Sequence, residues 1–109
     1  MEEGDIEALL RQAKNGNQRA FNSLFDIHWE YVYRFLMQRI QNNQLAEEIA
    51  IESFAKAFDN IKNFNSSYTF KTWVVTIAKN NLIDQHRKAE KHQITAFRNP
   101  EFTSNNFEN

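Results

Sequence analysis

Glycine and proline, the two residues that most often interrupt helices, are nearly absent from this chain. Its 109 residues include two glycines, Gly4 and Gly16, and one proline, Pro100. Without frequent turn residues, the chain favours long helices joined by short connectors. We therefore expect an all-α fold, a compact bundle of three to four helices.

Apolar residues recur at spacings near 3.6 along most of the chain, as they do on the buried face of a helix. This periodicity predicts helices over about residues 6–15, 17–40, 45–62 and 70–91. Residues suited to helix ends flank these segments: Asp5, Asn17 and either Ser67 or Thr69 as N-caps, and Gly16 as a left-handed C-terminal residue.

The helical pattern stops before the end of the chain. Residues 1–92 form one predicted helical domain. Residues 93–109 are rich in Asn, include Pro100 and lack a helical period, so we expect a linker or a disordered tail there.

The composition excludes several classes of protein. The chain has no cysteine, which rules out a disulfide scaffold, a thiolate metal cluster and a cysteine nucleophile. No apolar run approaches the roughly 18 residues that a membrane span needs, and the acidic N-terminus is unlike a signal peptide. We therefore expect a cytoplasmic protein with no membrane partner.

The net charge of −1 conceals two halves of opposite sign. Residues 1–60 carry six basic and ten acidic side chains, whereas residues 61–109 carry seven basic and four acidic ones. This asymmetry fits either two different partners, one of them a polyanion, or ordinary variation of the surface.

The side chains of catalytic and metal sites are not grouped in this sequence. His28, His86 and His92 lack the spacing of three or four residues that places two zinc ligands on one helical face. There is no Gly-rich phosphate loop, and nothing supplies a nucleophile, a base and an oxyanion donor together. We expect neither enzymatic activity nor a metal or cofactor.

The fourth predicted helix carries a stripe that changes from apolar to polar. Steps of three and four residues place the following side chains on one face: Trp73, Ile77, Asn80, Asp84, Arg87 and Lys91. Arg and Lys bind phosphates and amides read base edges, so the stripe suits contacts with a nucleic acid. The alternative is a solvated helix end whose cations complement the helix dipole.

The segment before that helix combines aromatic rings with short polar side chains. Phe64, Tyr68, Phe70 and Trp73 surround Asn65, Ser66, Ser67 and Thr69, with Lys71 beside them. This mixture is typical of sites that accept unstacked single-stranded bases. Alternatively, Phe64 and Phe70 close the core over the loop, and we expect both to be mostly buried.

From Phe64 to Arg87 the sequence reads Phe-x-x-x-x-x-Phe-x-Thr-Trp-Val-x-x-Ile-Ala-x-Asn-x-Leu-Ile-Asp-x-x-Arg. This pattern resembles the end of region 2 of bacterial RNA polymerase sigma factors, particularly those of the extracytoplasmic-function (ECF) group. The stretch from Ala46 to Phe54, Ala-Glu-Glu-Ile-Ala-Ile-Glu-Ser-Phe, resembles the acidic helix of the same domain. The resemblance covers about residues 17–92.

The resemblance implies a transcription initiation factor that binds core RNA polymerase and recognises and melts the promoter −10 element. In the family, the third helix docks on the clamp coiled coil of the polymerase β′ subunit. The polymerase-binding residues that this implies are Glu48, Ile51, Glu52 and Lys56. The family usually has Gln at the position of Ile51, where an apolar side chain is compatible with burial against a partner.

The resemblance also implies a site for single-stranded promoter DNA. In the family, the loop before the last helix captures a base flipped from the −10 element, which here implies a pocket of Asn65, Ser66, Ser67, Tyr68 and Thr69. Contacts with the DNA backbone or upstream bases are implied for Lys71, Asn80, Arg87, Lys88 and Lys91. A carboxylate near a phosphate is repelled, so we expect Asp84 to orient Arg87 or Lys88 instead.

The sequence is also compatible with other interpretations. Sigma factors of this group carry a second helical domain that reads the −35 element, and nothing after Lys91 resembles it; the Asn-rich tail favours a fragment over a stand-alone domain. The resemblance implies an anti-sigma protein as a further partner, although no residue identifies one. A different function for the same fold is an interaction module that sequesters a regulator or polymerase without reading DNA, and a third is a helical regulator of duplex DNA.

Overall fold

Four α-helices and one 3₁₀ turn make up the described structure. A computed structural model describes the backbone of residues 3–65 and 67–96 and the side chains of residues 5–65 and 67–88. The elements, in chain order, are α1 (Glu3–Lys14), α2 (Gln18–Met37), α3 (Asn43–Asp59), the 3₁₀ turn (Ile61–Asn63) and α4 (Phe70–Ala96). Within these ranges there is no strand, and the predicted all-α fold is confirmed.

Asparagine side chains fix the starts of the two central helices. Asn17 Oδ1 accepts the backbone N–H of Ala20 at 3.1 Å, and Asn42 Oδ1 accepts that of Leu45 at 3.0 Å. Each oxygen satisfies an N–H that has no partner within the first turn of its helix. After α1, Gly16 adopts a φ of +87°, the left-handed conformation that a glycine tolerates best. The sequence predictions for Asn17 and Gly16 are confirmed.

The two central helices end a few residues earlier than the sequence predicted. α2 ends at Met37 rather than near Ile40, and α3 ends at Asp59 rather than near residue 62. The side-chain amide of Asn60 donates to the carbonyl oxygen of Lys56 at 2.9 Å and satisfies the last turn of α3. The chain then tightens into the 3₁₀ turn, which the apolar periodicity did not distinguish from the helix.

The two outer helices were predicted too short. Asp5 lies within the first turn of α1, not before it, at the end where a carboxylate complements the helix dipole. α4 continues to Ala96, five residues beyond the predicted end at Lys91, because no Gly or Pro interrupts it. The first four residues of the predicted linker are therefore helical, whereas residues 97–109 lie outside the described residues. The domain boundary at residue 92 stays a prediction.

The core forms around α2, which packs against α1, α3 and α4, while α3 also packs against α4. The buried face of α2 repeats at every fourth position, with Ala20, Leu24, His28, Val32 and Leu36. Burial of each large apolar side chain contributes about 1.5–3 kcal/mol. Among the described residues, no helix is both long and apolar enough to cross a membrane.

Aromatic rings connect the helices to the loop that precedes α4. Phe54 of α3 lies 4.8 Å from Phe25 and 6.1 Å from Phe58, measured between ring centroids. Phe58 in turn faces Phe70, the first residue of α4, at 6.2 Å. Phe70 also contacts Phe64 at 6.1 Å. Phe64 and Phe70 are 7% and 1% exposed, so their predicted burial is confirmed.

A buried polar network joins α3 to α4. Asn81 Nδ2 donates to Ser53 Oγ at 3.0 Å, and Ser53 Oγ donates to the carbonyl oxygen of Ile49 at 2.6 Å. On the other side of the amide, Lys56 Nζ donates to Asn81 Oδ1 at 2.6 Å. Polar groups are tolerated between helices when each has a hydrogen-bond partner. A shift of one helix against the other that breaks these hydrogen bonds costs free energy.

Replacement of Phe54 by Ala should remove the central ring of the aromatic contacts. Because Phe54 is 1% exposed and touches rings on two helices, we expect Phe54→Ala to lower the free energy of unfolding by about 3–5 kcal/mol. Urea unfolding followed by circular dichroism measures the loss. Tyr68→Ala, at a side chain that is 61% exposed, should change stability by less than about 0.5 kcal/mol. Similar losses for the two variants would contradict this account of the core.

Removal of the Asn81 amide should destabilise the α3–α4 contact. Asn81→Ala deprives Ser53 Oγ and Lys56 Nζ of a partner at once, so we expect a loss of about 1–3 kcal/mol in urea unfolding. The matched control is Asn80→Ala, the same change at the exposed neighbouring position, with an expected effect under about 0.5 kcal/mol. An Asn81→Ala protein as stable as Asn80→Ala would show that the network contributes nothing.

Candidate functional site

The loop before α4 is shaped by hydrogen bonds of its own polar residues. Asn65 Oδ1 accepts the N–H of Ser67 at 2.9 Å, and the carbonyl oxygen of Asn65 accepts the N–H of Tyr68 at 3.1 Å. Thr69 Oγ1 accepts the N–H of Thr72 at 3.1 Å, so Thr69 rather than Ser67 caps α4. Asn65 and Thr69 therefore hold the loop in its turn conformation.

The loop presents its remaining described side chains to solvent. Tyr68 is 61% exposed, and Ser67 is exposed beside it. Tyr68 is thus an open aromatic surface next to a hydroxyl group, while Phe64 and Phe70 anchor the two ends of the loop in the core. Ser66, which the sequence placed in the same pocket, lies outside the described residues.

Lys71, in the first turn of α4, contacts a side chain of α2. Its Nζ is 4.4 Å from the centroid of the Tyr31 ring, a cation–π contact. Tyr31 was not among the residues that the sequence assigned to a site. It could have been noticed as a large aromatic residue that falls between the buried positions His28 and Val32 of α2.

The candidate DNA-binding residues fall into two groups along α4. Lys71 adjoins the loop, whereas Arg87 and Lys88 are exposed near the other end of the described part of the helix. At 1.5 Å per residue, the separation of 16 residues from Lys71 to Arg87 corresponds to about 24 Å along the helix. One nucleotide cannot reach both groups, although a strand of several nucleotides can. Asn80 is exposed between them.

The predicted stripe on α4 leaves the core as expected. Trp73 and Ile77 are half-buried against the core, and Asn80 and Arg87 are exposed. Lys91 belongs to α4, but its side chain lies outside the described residues.

The expectation that Asp84 orients a neighbouring cation was wrong. Among the described residues, the ion pair within 4.0 Å joins Glu30 and Arg34, and Asp84 makes none with Arg87 or Lys88. Asp84, Arg87 and Lys88 are all exposed, so water can solvate each charge, and an ion pair between them would add little stability.

The candidate polymerase-binding residues lie on α3. Glu48, Glu52 and Lys56 follow one another at spacings of four, with Ile51 beside the row. Glu48 and Glu52 are exposed, and Ile51 is 52% exposed, an apolar side chain beside the two carboxylates. Lys56 differs from the other three because its Nζ is bonded to Asn81 of α4. Sequence reasoning missed Asn81 and Ser53, the two buried partners of this network.

A buried histidine underlies the start of α4. His28 Nδ1–H donates to the carbonyl oxygen of Leu24 at 2.8 Å, and the ring meets Phe70 edge-on at 5.0 Å. Burial lowers the pKa of His28 below its ordinary value; the Leu24 carbonyl opposes this shift, and the Lys71 ammonium adds to it. His28 is thus neutral at pH 7 and acts as a core residue. In the described part of the chain, no cluster of three or more His, Asp or Glu side chains could hold a metal ion.

Comparisons with known proteins agree with the resemblance in the sequence. The family model for Sigma-70 region 2 matches residues 24–92. The ECF RNA polymerase sigma factor SigW of Bacillus subtilis is 37% identical over 83 residues, which cover 76% of this chain and 44% of SigW.

Two further relatives are also sigma factors of the ECF group. The ECF RNA polymerase sigma factor BldN of Streptomyces coelicolor is 32% identical over 79% of this chain and 33% of BldN. The ECF RNA polymerase sigma-E factor of Haemophilus influenzae is 31% identical over 83% of the chain and 49% of that protein. The chain therefore spans between a third and a half of the length of these relatives. Its fold, its loop motif and these matches show that it belongs to the Sigma-70 region 2 family, with relatives in the ECF group.

Proposed function

We propose that this chain acts in transcription initiation, binding core RNA polymerase through α3 and recognising and melting the promoter −10 element through the loop and α4. The observation that supports this most is the pairing of two different exposed surfaces on one core. One is the acidic face of α3 with the exposed apolar Ile51, and the other is the loop with its open Tyr68 ring and the basic residues of α4.

The α3 face suits a protein partner. Glu48 and Glu52 are exposed carboxylates at a spacing of one helical turn, and they complement a basic surface. Ile51 lies beside them and provides apolar area whose burial is favourable when the partner docks. We propose the clamp coiled coil of the β′ subunit as that partner. Lys56 contributes less than the other three, since it is engaged by Asn81.

The loop and α4 suit single-stranded DNA. Removal of a base from the duplex stack costs a few kcal/mol of free energy. Stacking on an aromatic ring and hydrogen bonds in a pocket offset this cost. Tyr68 supplies an exposed ring and Ser67 a hydroxyl group, while Lys71, Arg87 and Lys88 supply cations for the backbone. Asn65 and Thr69 contribute chiefly by holding the loop in shape.

Under this proposal, the protein opens the promoter without forming or breaking a covalent bond. The loop binds unstacked bases better than stacked ones, so its binding shifts the promoter towards the open state. The chain is then a non-enzymatic factor that works in the cytoplasm with the polymerase. On this proposal, residues 1–92 form the functional domain.

Reversal of the acidic face tests the proposed polymerase contact. We expect Glu48→Lys/Glu52→Lys to weaken binding to core RNA polymerase by at least about tenfold, because two attractive charges become repulsive. The measurement is titration of core polymerase with the fluorescently labelled full chain.

A matched control distinguishes an effect of this site from an effect of the net charge. Asp26→Lys/Glu30→Lys makes the same change of charge at the same spacing on exposed positions of α2, and it should bind polymerase nearly as well as the unmodified chain. Equal binding by both double variants, or no saturable binding by the unmodified chain, would refute the proposed contact.

A further inference from the structure

Lys71 and Tyr31 form a contact that links the loop end of α4 to α2. Lys71 Nζ lies 4.4 Å from the centroid of the Tyr31 ring, within the range of a cation–π interaction. The two residues are 40 positions apart in sequence, and both are exposed. This contact therefore lies on the surface, directly beside the loop that ends at Thr69.

Tyr31 has no evident role in the core. The buried face of α2 runs through Leu24, His28 and Val32, and Tyr31 lies off that face with 51% of its surface exposed. Phe25 and Trp29, its aromatic neighbours on α2, pack against further rings, whereas the ring contact observed for Tyr31 is with the ammonium of Lys71.

The type of contact matters for what Lys71 can bind. A carboxylate beside Lys71 would fix its ammonium but would also compete with a phosphate for it. Among the described residues, no Asp or Glu lies within 4.0 Å of Lys71. An aromatic ring orients the ammonium without neutralising it, and the exposed side of the ammonium stays open to an anion.

We propose that Tyr31 is a positioning residue for DNA binding: its ring holds the Lys71 ammonium beside the loop, where the ammonium meets a backbone phosphate of the single strand. This inference rests on the proposed function and extends it to α2. A lysine side chain loses much rotational freedom when it binds, and a ring that restricts it beforehand reduces that loss. Tyr31 itself does not need to touch DNA.

A double-mutant cycle tests the inference with the full chain. The probe is a short fluorescent single-stranded DNA of mixed sequence, titrated at low salt. We expect Tyr31→Leu to weaken binding about two- to fivefold, the range of an exposed cation–π contact. Tyr31→Phe retains the ring and should bind like the unmodified chain. In a Lys71→Met background, Tyr31→Leu should have no further effect.

The outcomes separate this inference from the function on which it rests. If the unmodified chain binds the DNA but Tyr31→Leu matches it, the positioning role is wrong and the proposed function stands. If Tyr31→Leu still weakens binding in the Lys71→Met background, the ring acts on DNA directly and the inference is overturned. If the unmodified chain binds no single strand even at low salt, the proposed function fails and the inference fails with it.

A measurement without DNA checks the contact itself. The ring current of Tyr31 should shift the ε-methylene protons of Lys71 upfield in the NMR spectrum of the free chain. The shift should persist in Tyr31→Phe and disappear in Tyr31→Leu, while the dispersion of the amide spectrum shows that both variants are folded. An unshifted Lys71 in the unmodified chain would contradict the positioning role.

Discussion

The contact on which the rest of this structure depends is made by Phe70, the first residue of α4. Its ring is almost fully buried and meets His28 of α2, Phe58 of α3 and Phe64 at the start of the loop. A single side chain therefore fixes the direction of α4 and both ends of the loop against the two central helices. The loop can expose Tyr68 only because its neighbours on either side are held in the core.

Two surfaces with different chemistry depend on this shared core. α3 turns Glu48, Ile51 and Glu52 outward while its inner face packs against α2 and α4. The network of Ser53, Asn81 and Lys56 then sets how α3 lies against α4. A polymerase bound to α3 and a DNA strand bound along α4 would thus be held in a fixed relation, since a shift between the helices breaks buried hydrogen bonds.

Much of the fold could be predicted from the sequence because it depends on local patterns. The period of apolar residues gives the helices, Asn17 announces the start of α2, and the spacing of Phe64 and Phe70 around polar residues indicates a loop closed at both ends. The motif from Phe64 to Arg87 also led to the right family. Helix ends were less accurate, since Asn60 terminates α3 by a hydrogen bond that the period does not reveal.

The contacts between helices could not be predicted from one sequence. Asn81 looks like a solvent-facing amide until Ser53, 28 residues away, is placed opposite it. The sequence suggested that Lys56 is available to a partner, yet its ammonium donates a hydrogen bond to Asn81 Oδ1. Tyr31 and Lys71 are 40 residues apart, and nothing in the sequence around either residue indicates that their side chains are in contact. Such pairings follow from how the helices pack and not from the pattern within any one helix.

On the proposed function, the loop and α4 open promoter DNA while α3 holds the polymerase. The most direct measurement is permanganate reactivity of −10 thymines in a promoter selected from a random library by polymerase bound to the full chain. A variant with Gln in place of Lys71, Arg87, Lys88 and Lys91 should keep its polymerase binding and lower the reactivity at least about tenfold. A control with Gln in place of Arg11, Arg19, Arg34 and Arg39, exposed on or next to α1 and α2, should open the promoter normally. Unchanged reactivity in the α4 variant, with polymerase still bound, would contradict the claim and indicate a module that binds polymerase without reading DNA.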